Sequence, residues 1–292
     1  MIAITGASGN LGKAVLSFLL QKTQAANIVA VVRDPQKLTD FAGTGIQIRK
    51  ADYNDPESLD TAFRGVEQLL QVSSANYGEQ AIREEQNVVA AAVRQGVGHI
   101  VYTSTLNPSE SPVFWGGQTC VRTEKTIREA GMRYSVFRNS MYMETIPLFI
   151  GSAMEDGQIY FSAGNGAISF VSRIDIAEGI SNVLLQPEAG NRVYEVTGEK
   201  AFTFADVAAL LEKNKKISCA YTDVPQEILK EELINAGLPE EEAVFYLNMG
   251  DSIKAGEFAL VSPQLEKLLG KKRLTAEAYL AQILRNSEVN AG

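Results

Sequence analysis

Ile2-Ala3-Ile4-Thr5-Gly6-Ala7-Ser8-Gly9-Asn10-Leu11-Gly12 joins a short apolar run directly to the amphipathic pattern of Ala14, Val15, Phe18 and Leu19. A strand that turns through three glycines into a helix is a cradle for a diphosphate. Gly6 permits the tight turn, Gly9 lets the backbone approach the anion, and Gly12 allows the helix to pack on the strand. Amides freed at the helix start, including those near Ser8, Asn10 and Leu11, supply the hydrogen bonds and the positive end of the helix dipole. The spacing is Gly-x-x-Gly-x-x-Gly rather than Gly-x-Gly-x-x-Gly, and it favours the short-chain dehydrogenase version of the dinucleotide fold.

Outward from this loop, short β-branched runs alternate with longer helical patterns as far as about residue 138. The expected strands are Ile2 to Thr5, Ile28 to Val32, Ile46 to Lys50, Gln68 to Ser73, His99 to Thr103 and Tyr134 to Arg138. This rhythm predicts an α/β fold with a doubly wound parallel (Rossmann) sheet. Right-handed crossovers then put every strand's carboxyl end on one ligand-binding edge. Asp55-Pro56-Glu57 reads as a helix start and Gly131 as a helix stop. After residue 140 the rhythm changes. A helix from Met143 to Glu155, a strand pair at Ile159 to Phe161 and Ile168 to Val171, and a helix opened by Asp175 are expected. A strand near Val193 to Val196, a helix from Thr203 and an acidic helical stretch from Pro225 to Phe258 follow. The division is an NAD(P)-binding domain over 1–140 and a smaller α+β substrate lobe over 141–292, some of whose segments return to the sheet.

The second strand ends in Val31-Val32-Arg33-Asp34-Pro35-Gln36-Lys37. An acidic residue at this place bonds the ribose 2′-hydroxyl of NAD, whereas an arginine suits the 2′-phosphate of NADP. Arg33, with Lys37 one helical turn on, favours NADP(H) over NAD(H). The alternatives are a solvated Arg33 beside an Asp34 that caps the next helix, or Asp34 itself on the ribose. Asp52 and Tyr53, Ser73 and Ser74, and Thr103 follow successive strands, where adenine, ribose and nicotinamide contacts belong. Asn139, Ser140 and Tyr142 follow the sixth strand. Asn139 suits a nicotinamide amide or a substrate carbonyl and Tyr142 a flat ring, or else they are a helix cap and a core tyrosine. The loop from Leu106 to Gly117 carries Phe114 and the sole tryptophan, Trp115. With Tyr77, and with Phe245, Tyr246 or Met249 from the acidic stretch, it suggests a flat apolar pocket for a planar molecule. Trp115 and Tyr77 carry most weight in it, because aromatic residues of a C-terminal lobe are more often core.

Composition removes other classes. There are 27 basic and 35 acidic residues, a net charge of −8, so no concentrated positive surface for nucleic acid is expected. Two cysteines and one histidine give neither a zinc site nor a disulfide framework. No apolar run reaches the length of about 18 residues that suggests a membrane span. Met1-Ile2-Ala3-Ile4 does not read as an export signal. A cytoplasmic protein with no metal is the expectation. His99 opens a strand with no polar partner in view and is given no role.

The glycine loop, together with Val32-Arg33-Asp34-Pro35, Ala51-Asp52-Tyr53, Tyr102-Thr103-Ser104, Thr123-Glu124-Lys125 and Arg138-Asn139-Ser140-Met141-Tyr142, resembles the NmrA-like group of atypical short-chain dehydrogenases. Ala163-Gly164-Asn165-Gly166, Ser172 to Ala177 and Leu265 to Gly270 extend the likeness over nearly the whole chain, most strongly toward the quinone- and triphenylmethane-reductase branch. The resemblance implies hydride transfer from NADPH to a quinone or similar planar electron acceptor. None of the 10 tyrosines is followed four positions on by lysine, so the usual acid/base pair of short-chain dehydrogenases is absent. An already electrophilic acceptor tolerates that loss. Cys120 stands where the wider group carries lysine or histidine; it is a weak acid, a redox-sensitive thiol or a buried filler. Lys125 has a family match and an i+4 partner in Glu129. The other function the resemblance implies is an NADP(H)-binding redox sensor that acts through a regulatory protein partner.

Overall fold

A computed structural model describes residues 1–151, 153–186, 190–215 and 218–290. The chain begins with β1 (Ile2–Ile4), α1 (Asn10–Lys22), β2 (Ile28–Val32), β3 (Gln47–Lys50), α2 (Pro56–Ala62), β4 (Gln68–Gln71) and α3 (Gly78–Arg94). It continues through β5 (His99–Thr105), α4 (Trp115–Glu129) and β6 (Arg133–Asn139). Then come α5 (Ile146–Ile150), α6 (Ala153–Asp156), β7 (Gln158–Phe161), α7 (Arg173–Leu184), β8 (Arg192–Val196), α8 (Phe204–Lys215) and β9 (Ala220–Asp223). Helices α9 (Gln226–Asn235), α10 (Glu240–Lys254), α11 (Gln264–Leu269) and α12 (Ala276–Asn290) complete it.

Seven strands form one sheet in the order β3-β2-β1-β4-β5-β6-β8, every pairing parallel. The expected doubly wound sheet is therefore present, with one strand more than the six read from the first half. The order reverses between β1 and β4, and the crevice beyond the strand ends at such a reversal is where this fold takes ligands. Both faces are covered, as parallel strands require. Val15, Leu16 and Leu19 of α1 pack with Ile176, Ile180 and Leu184 of α7 on one face. On the other, Leu59, Val88, Val89 and Ile127 cover Val29, Leu69 and Ile100. A third cluster, including Phe149, Phe161, Phe204, Ile253 and Leu280, joins elements of the C-terminal half.

Several expectations are corrected. Ile168 to Val171 does not pair with β7; its residues make only isolated bridges, Ile168 to Phe202 and Val171 to Tyr142, and the partner of β7 is β9, a short and mostly exposed strand without an apolar pattern of its own. The helix expected from Met143 to Glu155 is broken: a 3-10 turn over Met143–Thr145 leads into α5, and Gly151 at φ +50 ends that helix before α6. Position 152 lies outside the described residues. The stretch from Pro225 to Phe258 divides at Gly237 and Pro239 into α9 and α10. Asp175 lies inside the first turn of α7, whose cap is Ser172, with its hydroxyl accepting from the Ile174 amide. Among the described residues no helix is long and apolar enough to cross a membrane.

His99 also differs from expectation. It is buried, with Nδ1 3.3 Å from Gln68 Oε1 and Nε2 3.1 Å from Ser135 Oγ. Burial and the charge of Arg133 push its pKa down from 6.5 to about 4. The unfolded chain therefore binds a proton that the native one refuses between those values, so His99 makes stability fall as pH drops through this window. Full protonation of the unfolded state costs on the order of 3 kcal/mol. Chemical denaturation from pH 7.5 to 4.5 is expected to show the wild type losing more stability than His99→Asn, and parallel curves would contradict the assignment.

Candidate active site

The loop after β1 leaves its main-chain donors free. Gly6 has φ +58 and its carbonyl accepts from the Gly9 amide at 2.9 Å, which closes the turn. Gly9 caps α1 without a side chain, the first turn holds no acidic residue, and the amides of Asn10, Leu11 and Gly12 meet no acceptor among the described residues. Helix α4 is treated differently. Asn248 Oδ1 accepts from the Trp115 amide at 3.1 Å, and Glu257 accepts from the Val113 and Phe114 amides at 2.8 Å each. A long helix whose start is bare, exposed at Gly9 and Asn10, and without acidic neighbours keeps its positive end for an anion. A Cβ on Gly12 would sit 2.4 Å from the Gly6 carbonyl oxygen, so only glycine closes this loop. These features fit a dinucleotide diphosphate. Ser8, half-buried, lies in the loop beside them.

Tyr53 braces the loop from below. Its hydroxyl is 2.5 Å from Thr5 Oγ1 and 2.7 Å from the Val72 carbonyl, and burial raises its pKa, so it stays a neutral strut between β1 and β4. Asp52 is folded onto its own turn, accepting from the Asn54 amide at 2.8 Å. At the end of β2, Arg33 and Lys37 are exposed, and their side chains make no ion pair or hydrogen bond among the described residues. Asp34 caps the following 3-10 helix, accepting from the Gln36 amide at 3.0 Å. Of the readings open at this strand end, the cap describes Asp34, and two unpaired cations flank it.

Along the same edge, β4, β5 and β6 open onto a cleft of about 330 Å³. It brings together Ser73, Ser74, Tyr77, Cys120, Asn139, Ser140 and Tyr142, all singled out from sequence. Arg33, Lys37 and Asp52 lie apart from it, as does Thr103, whose hydroxyl is behind Ser73 and accepts from its amide at 2.9 Å. Asn139 is the last residue of β6, not a helix cap, and both its amide atoms are buried with no well-formed hydrogen bond. Ser140 is tied back by Ser169, whose hydroxyl is 3.0 Å away. Tyr142 carries the Arg173 guanidinium 5.0 Å from its ring centre; burial raises its pKa, while Arg173 and the nearby Asn139 amide oppose the rise.

Sequence reasoning put its weight on Tyr77 and Trp115, offered Phe114, Phe245 and Met249 as further candidates and missed Phe258. Phe114, Phe245, Met249 and Phe258 wall the cleft, with Tyr77 against Phe245 at 5.1 Å and Phe114 against Phe258 at 5.4 Å. Trp115 faces a neighbouring groove with Pro112 and Gln118 instead. It still touches the aromatic cluster edge-on, its ring 6.2 Å from that of Tyr77. Two buried acids were also missed. Glu85 borders the cleft and accepts from the Tyr102 and Thr123 hydroxyls at 2.6 Å and from the Ser74 amide at 2.8 Å; burial nonetheless raises its pKa. Glu124 is fully buried and held ionised by Arg138 and Arg128, which lower its pKa despite desolvation. The signal for Glu85 was its spacing with Ala81, Val88, Val89 and Ala92, which places it on the buried face of α3.

Cys120 is buried and its pKa is pushed up to about 12, first by desolvation and then by the Glu85 charge. A thiol raised this far is un-ionised near neutrality, which favours the buried filler over the redox-sensitive thiol among the three roles open to it. Lys125 is exposed and 3.9 Å from Glu129, the i+4 partner anticipated.

The sequence profile of the NmrA-like family matches residues 1–277. The chain belongs to the NmrA-like family. Quinone oxidoreductase 2 of Escherichia coli is 34% identical over 275 residues, covering 94% of this chain and 96% of that protein. The crystal structure of the NADPH-dependent quinone oxidoreductase of Escherichia coli complexed with NADPH is similar with a TM-score of 0.91 at 33% identity, over 99% of this chain and 100% of that one. The Citrobacter sp. triphenylmethane reductase complexed with NADP(H) gives 0.90 at 33% identity, over 97% and 99%.

Proposed function

We propose that this NmrA-like chain is an NADPH-dependent oxidoreductase that reduces a quinone or a similar planar electrophile. The observation that carries the reading is the bare start of α1, set at the crossover of the sheet and sharing one edge with an aromatic-walled cleft. NADPH, when bound, supplies a hydride. Everything else falls to the chain: the amides of Asn10, Leu11 and Gly12 hold the diphosphate, and Arg33 with Lys37 neutralises the 2′-phosphate. Ser73, Ser74 and Ser140 border the nicotinamide end. Phe114, Phe245, Met249 and Tyr77 exclude water and keep a flat ring parallel to the reaction plane, which is catalysis by orientation. Cys120, a neutral thiol, fills the wall. The overall change is quinone plus NADPH plus one proton giving hydroquinone and NADP⁺, with the proton drawn from solvent. The division into a cofactor part over 1–140 and an acceptor lobe over 141–292 belongs to the same proposal.

The names of the similar reductases, at one-third identity over nearly full length, support this reading. The sensor reading has no comparable support. Oxidation of NADPH followed at 340 nm with a panel of benzo- and naphthoquinones is expected to give turnover well above the uncatalysed rate and to run far slower with NADH. Tight NADPH binding without turnover on any acceptor would transfer the protein to the sensor class.

A further inference from the structure

Gly250 stands buried inside α10, where glycine is a poor helix former. A Cβ there would lie 2.3 Å from the Ser162 carbonyl oxygen. The contact is reciprocal, since a Cβ on Gly166 would lie 2.3 Å from the Ile253 carbonyl oxygen. Helix and turn each leave out a side chain to make room for the other's main chain, so α10 is seated on the 162–166 turn as closely as two backbones permit. The turn is braced by β9. Tyr221 Oη donates to the Phe161 carbonyl at 3.1 Å and accepts from the Ala163 amide at 3.2 Å, and Asp223 Oδ1 accepts from the Gly164 amide at 2.7 Å. The other face of α10 serves the cleft. At about 100° per residue, Gly250 lies about 140° around the helix from Phe245 and about 160° from Asn248. Phe245, with Met249 beside it, walls the cleft, and Asn248 holds the segment that carries Phe114.

We infer that Gly250 is a positioning residue that sets the clearance of the acceptor slot: by letting α10 stand back against Ser162, it decides how far an acceptor can depart from a single plane and still fit beneath Phe245 and Met249. The inference rests on the reductase reading and adds a determinant of acceptor shape to it. A methyl group at position 250 restores ordinary van der Waals contact only if one backbone retreats by about 1 Å. Because β9 braces the turn, the helix yields, and it moves toward the side that bears Phe245 and Asn248. The wall then advances into the cleft. A flat ring system still passes under it, whereas a twisted one meets it.

The test uses protein loaded with NADP⁺, which carries no hydride to give, and two probes of like chemistry. 1,4-Naphthoquinone is flat; 2-phenyl-1,4-naphthoquinone carries a ring twisted out of that plane. Gly250→Ala is expected to weaken binding of the phenyl compound by at least about ten-fold and of the parent by no more than about three-fold, with NADPH affinity unchanged. Alanine's better helix propensity opposes the overpacking, so the variant is expected to fold. Adding Phe245→Ala, which clears the wall, is expected to return the phenyl compound to within about three-fold of its affinity for Phe245→Ala alone. Coupling of that kind would be missing if Gly250 served stability only. The sole tryptophan, Trp115, gives a reading that needs no acceptor, because its ring is 6.4 Å from that of Phe245 and its amide donates to Asn248. Its emission maximum is expected to shift in Gly250→Ala. Should that variant fail to fold, Gly166→Ala loads the same seat from the turn and the same outcomes apply. Equal losses for both probes, strictly additive effects with Phe245→Ala, an unmoved Trp115 emission, or a phenyl compound that wild-type protein already excludes would each overturn the inference. Probes that bind as expected but are not reduced would count against the reductase reading alone.

Discussion

Gly12→Ala is expected to weaken NADPH binding by at least about 100-fold. The added carbon would lie 2.4 Å from the Gly6 carbonyl oxygen and 2.7 Å from the Ala7 Cα. Both obstacles are backbone, so no side chain can swing aside and the loop itself must move. Overpacking of this kind costs about 1–3 kcal/mol of stability. The larger loss is at the ligand, because displaced amides no longer converge on the diphosphate and each hydrogen bond to a charged group is worth about 1.5–3 kcal/mol. Two such bonds lost account for the stated factor. Gly9→Ala provides the internal comparison, since its Cβ would meet only the Gly6 oxygen, at 3.3 Å, and a smaller loss is expected. Titration calorimetry on variants that retain the wild-type circular dichroism spectrum measures both. Undiminished affinity in a folded Gly12→Ala protein would remove the loop from the cofactor site.

Arg33→Ala is expected to raise the dissociation constant of NADPH by about 30- to 100-fold and that of NADH by no more than about two-fold. The asymmetry follows from geometry and charge. Arg33 is exposed and pairs with no acid among the described residues, so its removal strands no buried partner there and is expected to leave the fold untouched. A guanidinium forms a two-pronged, charge-assisted contact with a phosphate, which the 2′-hydroxyl of NADH cannot replace. Lys37 nearby contributes as a point charge and is expected to matter less. Raising the salt concentration should shrink the NADPH effect, because exposed charges are screened. Equal losses for the two dinucleotides would take Arg33 off the 2′-phosphate.

How much of this was legible beforehand depended on whether the signal was local. The glycine turn, the strand-to-helix switch after it and the caps at Asp55 and Gly131 are all written within a few neighbouring residues, and they stand where expected. Strand ends were less secure: β4 stops at Gln71, whereas β5 and β6 run on to Thr105 and Asn139, because pairing across the sheet sets those limits. β8 joins β6 from far along the chain. Strand β9 escaped notice for the same reason, since Ala220–Asp223 is short and mostly exposed and is fixed only by pairing with β7. The cleft shows the same limit. Ser73, Ser74, Cys120 and Asn139 could be placed by counting along the strands and helices that carry them. Phe245 and Met249 were candidates only as apolar residues of an acidic helical stretch, and with the unforeseen Phe258 they reach the cleft through the docking of α10 and the turn that follows it, which no nearby residue announces. Trp115 illustrates the converse: it belongs to the right loop, but a helix start turns it outward while Phe114 turns in.

Glu257 and Asn248 grip the 113–115 segment by its main chain, with Asn248 Nδ2 also donating to the Val113 carbonyl at 2.6 Å and Asn107 Nδ2 to the Glu257 carbonyl at 2.7 Å. Fasteners of that sort are indifferent to the side chains borne by what they fasten. Substitution at Phe114 would therefore reshape the opening while its frame stayed put, much as a new insert changes a mould without recasting the housing. A single scaffold acquires tolerance for differently shaped molecules in this way, by exchanging linings between fixed mounts and leaving the nucleotide shelf alone.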